Sequence, residues 1–102
     1  MSEVFARARL VVRCVAIAAL MVSAGCATAP VQEMSDARQA IQAAEEAGAA
    51  TLAPDQLRDA KRLLTSAERK LQREAYASAR QDARDARRRA AEALEVARAR
   101  EE

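Results

Sequence analysis

Leu71-Gln72-Arg73-Glu74-Ala75-Tyr76-Ala77-Ser78-Ala79 is the stretch that decides whether the chain beyond residue 54 is one long helix or two helices that double back. Before it, Leu57, Ala60, Leu64, Ala67 and Leu71 recur in steps of three and four, the spacing of one helical face. Continuing that stripe lands on Glu74 and Ser78, which are polar. A new stripe begins instead at Tyr76 and runs through Ala79, Ala83, Ala86, Ala90, Ala93 and Ala97. A slip of two residues is about 200° around a helix of 3.6 residues per turn. The apolar face therefore changes sides near Arg73 to Ala75, as it does when a chain turns back. No glycine or proline marks the turn, and Leu71, Ala75, Ala79 and Ala83 offer a drifting four-step path through it. One continuous helix from Pro54 to the carboxyl end stands as the alternative.

Working outward, Pro54 suits a first helical position, where its missing N–H is not needed, and Asp55 suits the first turn. The helix it opens is expected to reach roughly Arg73, with Leu63 widening its apolar stripe. Ahead of it, Ala49 to Ala53 reads as a bend. The preceding helix spans about Gln32 to Ala47, with Met34, Ala37, Ile41, Ala44 and Gly48 on one face. Gly48 falls where a left-handed closing residue is wanted, the other reading being a small contact residue within a longer helix. Ala27 to Val31 is a short spacer, in which Pro30 discourages helix at the residue before it.

The amino terminus has another character. Arg7, Arg9 and Arg13 precede the apolar run Cys14 to Val22 and the small residues Ser23, Ala24 and Gly25, the three parts of a secretory signal. The apolar run is too short for a permanent crossing, which takes about 20 residues. With Cys26 next, Ser23-Ala24-Gly25-Cys26 resembles the bacterial lipobox, although serine stands where leucine is usual. The resemblance implies diacylglycerol on the Cys26 thiol and cleavage before it. There is no twin-arginine pair, so export unfolded is expected. Ala27 lacks the aspartate that commonly retains lipoproteins in the inner membrane, so the expected place is the outer membrane, facing the periplasm. The division is then residues 1–25 as signal peptide, 26–31 as lipidated cysteine and tether, and 32–102 as an alanine-rich helical domain.

Removing residues 1–25 takes three of the 17 basic and one of the 15 acidic side chains, leaving 14 of each. The basic excess belongs to the signal, so it argues for no nucleic-acid partner. Cys14 departs with it, Cys26 has no mate for an intramolecular disulfide, and the chain has no histidine. Cysteine–histidine zinc sites are thereby excluded, and no cofactor or metal is expected. The remaining 77 residues hold 22 alanines and only 11 larger apolar residues, a composition suited to helix and little else. The core is thin, at about 1.5–3 kcal/mol for each large side chain fully buried. Self-association or a protein partner is therefore expected. The fold class is all-α, a small antiparallel three-helix bundle, with the alternative a helical hairpin with one long second helix.

The pattern Ala37, Ile41, Ala44, Gly48-Ala49, then Ala53-Pro54, then Leu57, Ala60, Leu64 and Ala67, then Tyr76, Ala79, Ala83 and Ala86 resembles bacterial lipoproteins carrying domain of unknown function 4398. It covers most of residues 31–100. It departs at Glu74-Ala75, where members often have a glycine and an aspartate before the tyrosine. The resemblance implies three antiparallel helices and brings no established activity. Some relatives join such a segment to a peptidoglycan-binding domain, for which no room is expected here.

An enzyme is not expected, and no catalytic residue is assigned. There is no glycine-rich phosphate loop, and Ser35, Thr51, Thr65, Ser66 and Ser78 have no evident base beside them. Arg87, Arg88 and Arg89 are the one basic cluster and the candidate contact for lipid phosphates, peptidoglycan carboxylates or an acidic partner. Three successive residues point in three directions around a helix, however, and Asp85 and Glu92 lie close, so a solvated face is the plainer reading. Two roles follow as expectations. One is a lipid-anchored noncatalytic adaptor or scaffold that presents its Ala and Leu faces to a protein or a second copy. The other is a structural tether binding peptidoglycan noncovalently. The small murein lipoprotein ends in a lysine joined to the wall, whereas this sequence ends Arg100-Glu101-Glu102, so covalent attachment by that route is not expected.

Overall fold

A computed structural model describes residues 4, 7–9 and 28–101. Cys26, the expected lipobox around it and most of residues 1–25 lie outside the described residues. Among residues 28–101 four helices follow in order: α1 (Val31–Glu46), α2 (Ala49–Leu52), α3 (Pro54–Gln72) and α4 (Tyr76–Glu101). No strand occurs among the described residues. The fold is all-α, and its three long helices form a bundle.

The turn that the sequence left open is made. The Glu74 N–H donates to the Leu71 carbonyl at 3.0 Å and the Ala75 N–H to the Lys70 carbonyl at 2.9 Å. These are the paired bonds of a Schellman motif, which requires a left-handed residue at the position Glu74 holds. Glu74 adopts φ 60°, and it is the non-glycine residue with positive φ among the described residues. A left-handed L-residue costs roughly 1–2 kcal/mol, so a glycine-free turn forms because packing on both sides demands it.

The first corner is built differently. Gly48 takes φ 83° and ends α1, its N–H donating to the Glu45 carbonyl at 3.0 Å. The expected bend over Ala49–Ala53 is a single helical turn, α2, closed by Ala53 at φ −145° and ψ 56°. The residue before a proline is kept out of the helical region, as Ala53 is, and Pro54 opens α3 as expected. Ala49 and Ala53 are fully buried. From the far end of α4, Arg100 Nη1 donates to the Leu52 carbonyl at 2.6 Å and holds the corner down.

Cross-helix pairs give the directions. Ser66 meets Asp82 and Asp59 meets Arg89, so α3 and α4 are antiparallel. Arg38 pairs with Glu68 and Lys61 with Glu45, so α1 and α3 are antiparallel as well. Glu33 at the start of α1 meets Arg80 at the start of α4, leaving those two parallel. Of the three long helices, α4 packs most extensively on α3, then on α1, while α1 and α3 touch each other least.

The helix at the centre is the alanine-rich one. Ala79, Ala83, Ala86, Ala90, Ala93 and Ala97 are all fully buried. Their alternating steps of four and three follow the heptad pattern of a coiled-coil seam. Methyl-sized side chains let helix axes approach toward the short end of the usual 8–10 Å range. Bulk comes from the flanking helices: Ile41 and Leu57 pack with Ala44, Ala49, Ala53, Ala60, Ala90, Ala93 and Ala97 in one cluster. Met34, Ala67 and Ala83 form a smaller second cluster, and half-buried Leu64 touches both.

The alanine face expected to be offered to a partner is thus covered from within the chain. Leu71 and Tyr76, expected on the stripes, are half-buried and belong to neither cluster. They sit where the chain reverses, at the end of α3 and the start of α4. Leu63, also half-buried, lines an open groove with Arg62, Asp85, Arg88, Arg89 and Glu92.

Two substitutions test this packing by chemical denaturation. Ala90→Leu, which forces extra volume between α3 and α4, is expected to cost about 1–3 kcal/mol, whereas exposed Ala91→Leu should stay within about 0.5 kcal/mol of the parent. Glu74→Gly should stabilise by roughly 0.5–1 kcal/mol, the relief of left-handed strain less the entropy that glycine adds to the unfolded chain.

Candidate functional site

The arginine triplet of α4 is split by the helix that carries it. Arg89 turns toward α3, with Nη1 2.8 Å from Glu92 Oε2 and Nη2 3.7 Å from Asp59 Oδ2. The Glu92 hydrogen bond, then its charge, holds the Arg89 guanidinium above its ordinary pKa, with a smaller contribution from Asp59. Arg88 bonds Asp85 one turn back on its own helix. Arg87 has no ion-pair or hydrogen-bond partner among the described residues.

A different trio comes together. Arg84, Arg87 and Arg88 line an open groove of about 480 Å³ with Gln81 and Ala91. An adjoining groove of about 230 Å³ is formed by Arg84 and Arg87 with Gln32, Glu33 and Asp36 of α1. Arg84 contributes to both, and its contact with Glu33 is long, at 3.9 Å. The sequence signal for Arg84 was the outer stripe Gln81, Arg84, Arg88 and Ala91, in three-four-three steps opposite the buried alanines. The adjacency of Arg87-Arg88-Arg89 is more conspicuous along the chain but less meaningful on a helix. Guanidinium groups gathered this way suit carboxylate or phosphate oxygens, which they can bind in pairs of hydrogen bonds. Acidic Glu33 and Asp36 close one side, so the free charge points away from α1.

Two further polar constellations were not legible along the chain, because each joins residues of different helices. Asp82 Oδ2 accepts from the Ser66 hydroxyl at 2.6 Å and lies 2.8 Å from Lys70 Nζ. Burial by itself would raise the Asp82 pKa, but the hydrogen bonds from Lys70 and Ser66 and the Lys70 charge together hold it below its ordinary 3.8. Ser66 therefore has a carboxylate beside it after all. A carboxylate held that low is a poor acceptor for the hydroxyl proton at neutral pH, so the trio is a clasp between α3 and α4.

At the same end, Arg80 Nε donates to Glu33 Oε1 at 3.0 Å and Arg80 Nη2 to the Thr28 carbonyl at 3.0 Å. Pro30 is fully buried. The last residues of the expected spacer, Thr28 to Pro30, are thereby held against the bundle, and α1 starts at Val31. Cys26 itself lies outside the described residues. Among those residues no three His, Cys, Asp or Glu side chains gather as metal ligands, and no helix is long and apolar enough to cross a membrane.

The family model described as Domain of unknown function (DUF4398) matches residues 32–102. No curated protein and no solved structure matches the chain.

The Asp82 clasp has a defined pH dependence. Because the folded-state pKa lies below 3.8, its stabilisation is present above that value and is lost as pH falls through the folded pKa. Asp82→Asn should cost about 1 kcal/mol at pH 7, and the gap to the parent should close in denaturation curves recorded below pH 3.8.

Proposed function

We propose, for a chain that belongs to the DUF4398 family, the role of a noncatalytic adaptor of the bacterial envelope, held to the outer membrane by acylated Cys26 and facing the periplasm. Family membership carries no activity with it, so the reading rests on the chain's own residues. Its main support is that the apolar stripes of α1, α3 and α4, apart from Leu71 and Tyr76 at the reversal, are consumed inside the bundle. What the exterior offers is charge, and the groove of Arg84, Arg87 and Arg88 is where cations outnumber their partners. An adaptor built this way engages an acidic protein surface through that groove, and the stem of half-buried Leu63 nearby adds a small apolar contact.

The same groove favours a second reading, noncovalent binding of peptidoglycan, whose peptide carboxylates suit paired guanidinium groups. Neither reading requires a cofactor, a metal or nucleic acid.

Anchor and groove are tested separately. Cells labelled with a palmitate analogue should mark the parent protein and leave Cys26→Ala unmarked; equal labelling rejects the anchor. In lightly crosslinked envelopes, a protein retained by the lipidated parent should be lost with Arg84→Glu/Arg87→Glu/Arg88→Glu, and retention by both rejects the groove. Pelleting of the parent with purified peptidoglycan at physiological salt, lost in the same variant, selects the second reading.

A further inference from the structure

The bundle has two unlike ends, and we infer that the end carrying the α3–α4 turn lies directly on the lipid headgroups, so that the bundle stands upright on its anchor. The inference rests on acylation of Cys26. Cys26 precedes Thr28 by two positions, and Thr28 is tied through its carbonyl to Arg80 in the first turns of α4. Two extended residues span at most about 7 Å. Buried Pro30 removes slack on the other side of Thr28. A lipid on Cys26 therefore holds the membrane surface within that distance of the place where α1 starts, α3 ends and α4 starts.

The residues at that end fit such a surface. Val31 is 73% exposed, the one strongly exposed large apolar side chain between residues 28 and 101. Leu71 and Tyr76 are half-buried and outside both core clusters. Arg69 and Arg73, in and just after the last turn of α3, have no ion-pair partner among the described residues; Glu74 follows Arg73, and Glu68, which precedes Arg69, is paired with Arg38. An aromatic ring, aliphatic side chains and unpaired arginines at one end match the interfacial zone of a bilayer, where tyrosine sits at headgroup level and arginine meets phosphate. At about 1.5 Å per residue along α4, Arg87 then stands about 16 Å above Tyr76 and Arg98 about 33 Å. The groove is thereby held clear of the membrane.

Tyr76 reports on this directly, because the chain has one tyrosine and no tryptophan. The acylated full chain is purified, checked by mass for its lipid, and placed in phosphatidylcholine–phosphatidylglycerol vesicles with or without a nitroxide at headgroup depth. Tyr76 emission should fall at least about twofold with the nitroxide, as for a ring at the interface. In the variant Tyr76→Phe/Arg98→Tyr, emission from the opposite end should be unchanged. Acyl mass with equal quenching at both ends, or with quenching at neither, overturns the upright orientation alone. Absence of acyl mass overturns the anchor and this orientation with it.

Discussion

Close approach of helix backbones along the alanine seam of α4 is the constraint on which the rest depends. Six methyl groups, from Ala79 to Ala97, are fully buried, and a methyl contributes little apolar area by itself. Their value is geometric: small side chains on the central helix leave room for Met34, Ile41 and Leu57 to reach it from α1 and α3. A larger residue on the seam would push out both neighbours at once. The same economy explains why α1 and α3 touch each other least, since each packs mainly on α4.

A core this thin leaves its ends to polar contacts. Near the chain entry, where the small cluster holds only Met34, Ala67 and Ala83, Asp82 clasps Ser66 and Lys70 while Arg80 joins Glu33 and Thr28. These pairs are among the least exposed on the molecule, so solvent screens them less than the i,i+3 pairs along the outer faces. At the far end the larger cluster supplies the packing, and one Arg100 bond to Leu52 secures the corner. Polar and apolar contributions thus divide the bundle along its length. The division also frees the outer face of α4 to carry Arg84, Arg87 and Arg88.

Much of this could be read along the chain. The 3-4 stripes of α1, α3 and α4, except for Leu71 and Tyr76 at their ends, the helix start at Pro54 and the left-handed close at Gly48 appear in the structure. They depend on local periodicity and on single residues whose backbone preferences are strong. The α3–α4 turn was legible only as a phase slip, because Glu74 has no preference for the φ of 60° it adopts. Of the arginine site, Arg87 and Arg88 could be nominated, whereas Arg84 took the place of Arg89 beside them once the helix was wound.

By itself the sequence determined helix positions, the inward faces, the neutral charge of residues 26–102 and the resemblance to a family, since each follows from composition or from spacing under ten residues. Tertiary structure alone decided that the chain turns at Glu74, that the alanine face is closed off within the molecule, and that Asp82 and Arg80 clasp residues of other helices. Those outcomes depend on contacts between segments tens of residues apart, such as Arg80 with Thr28 and Glu33. No local preference encodes them, and packing selects them only when all three helices are present together.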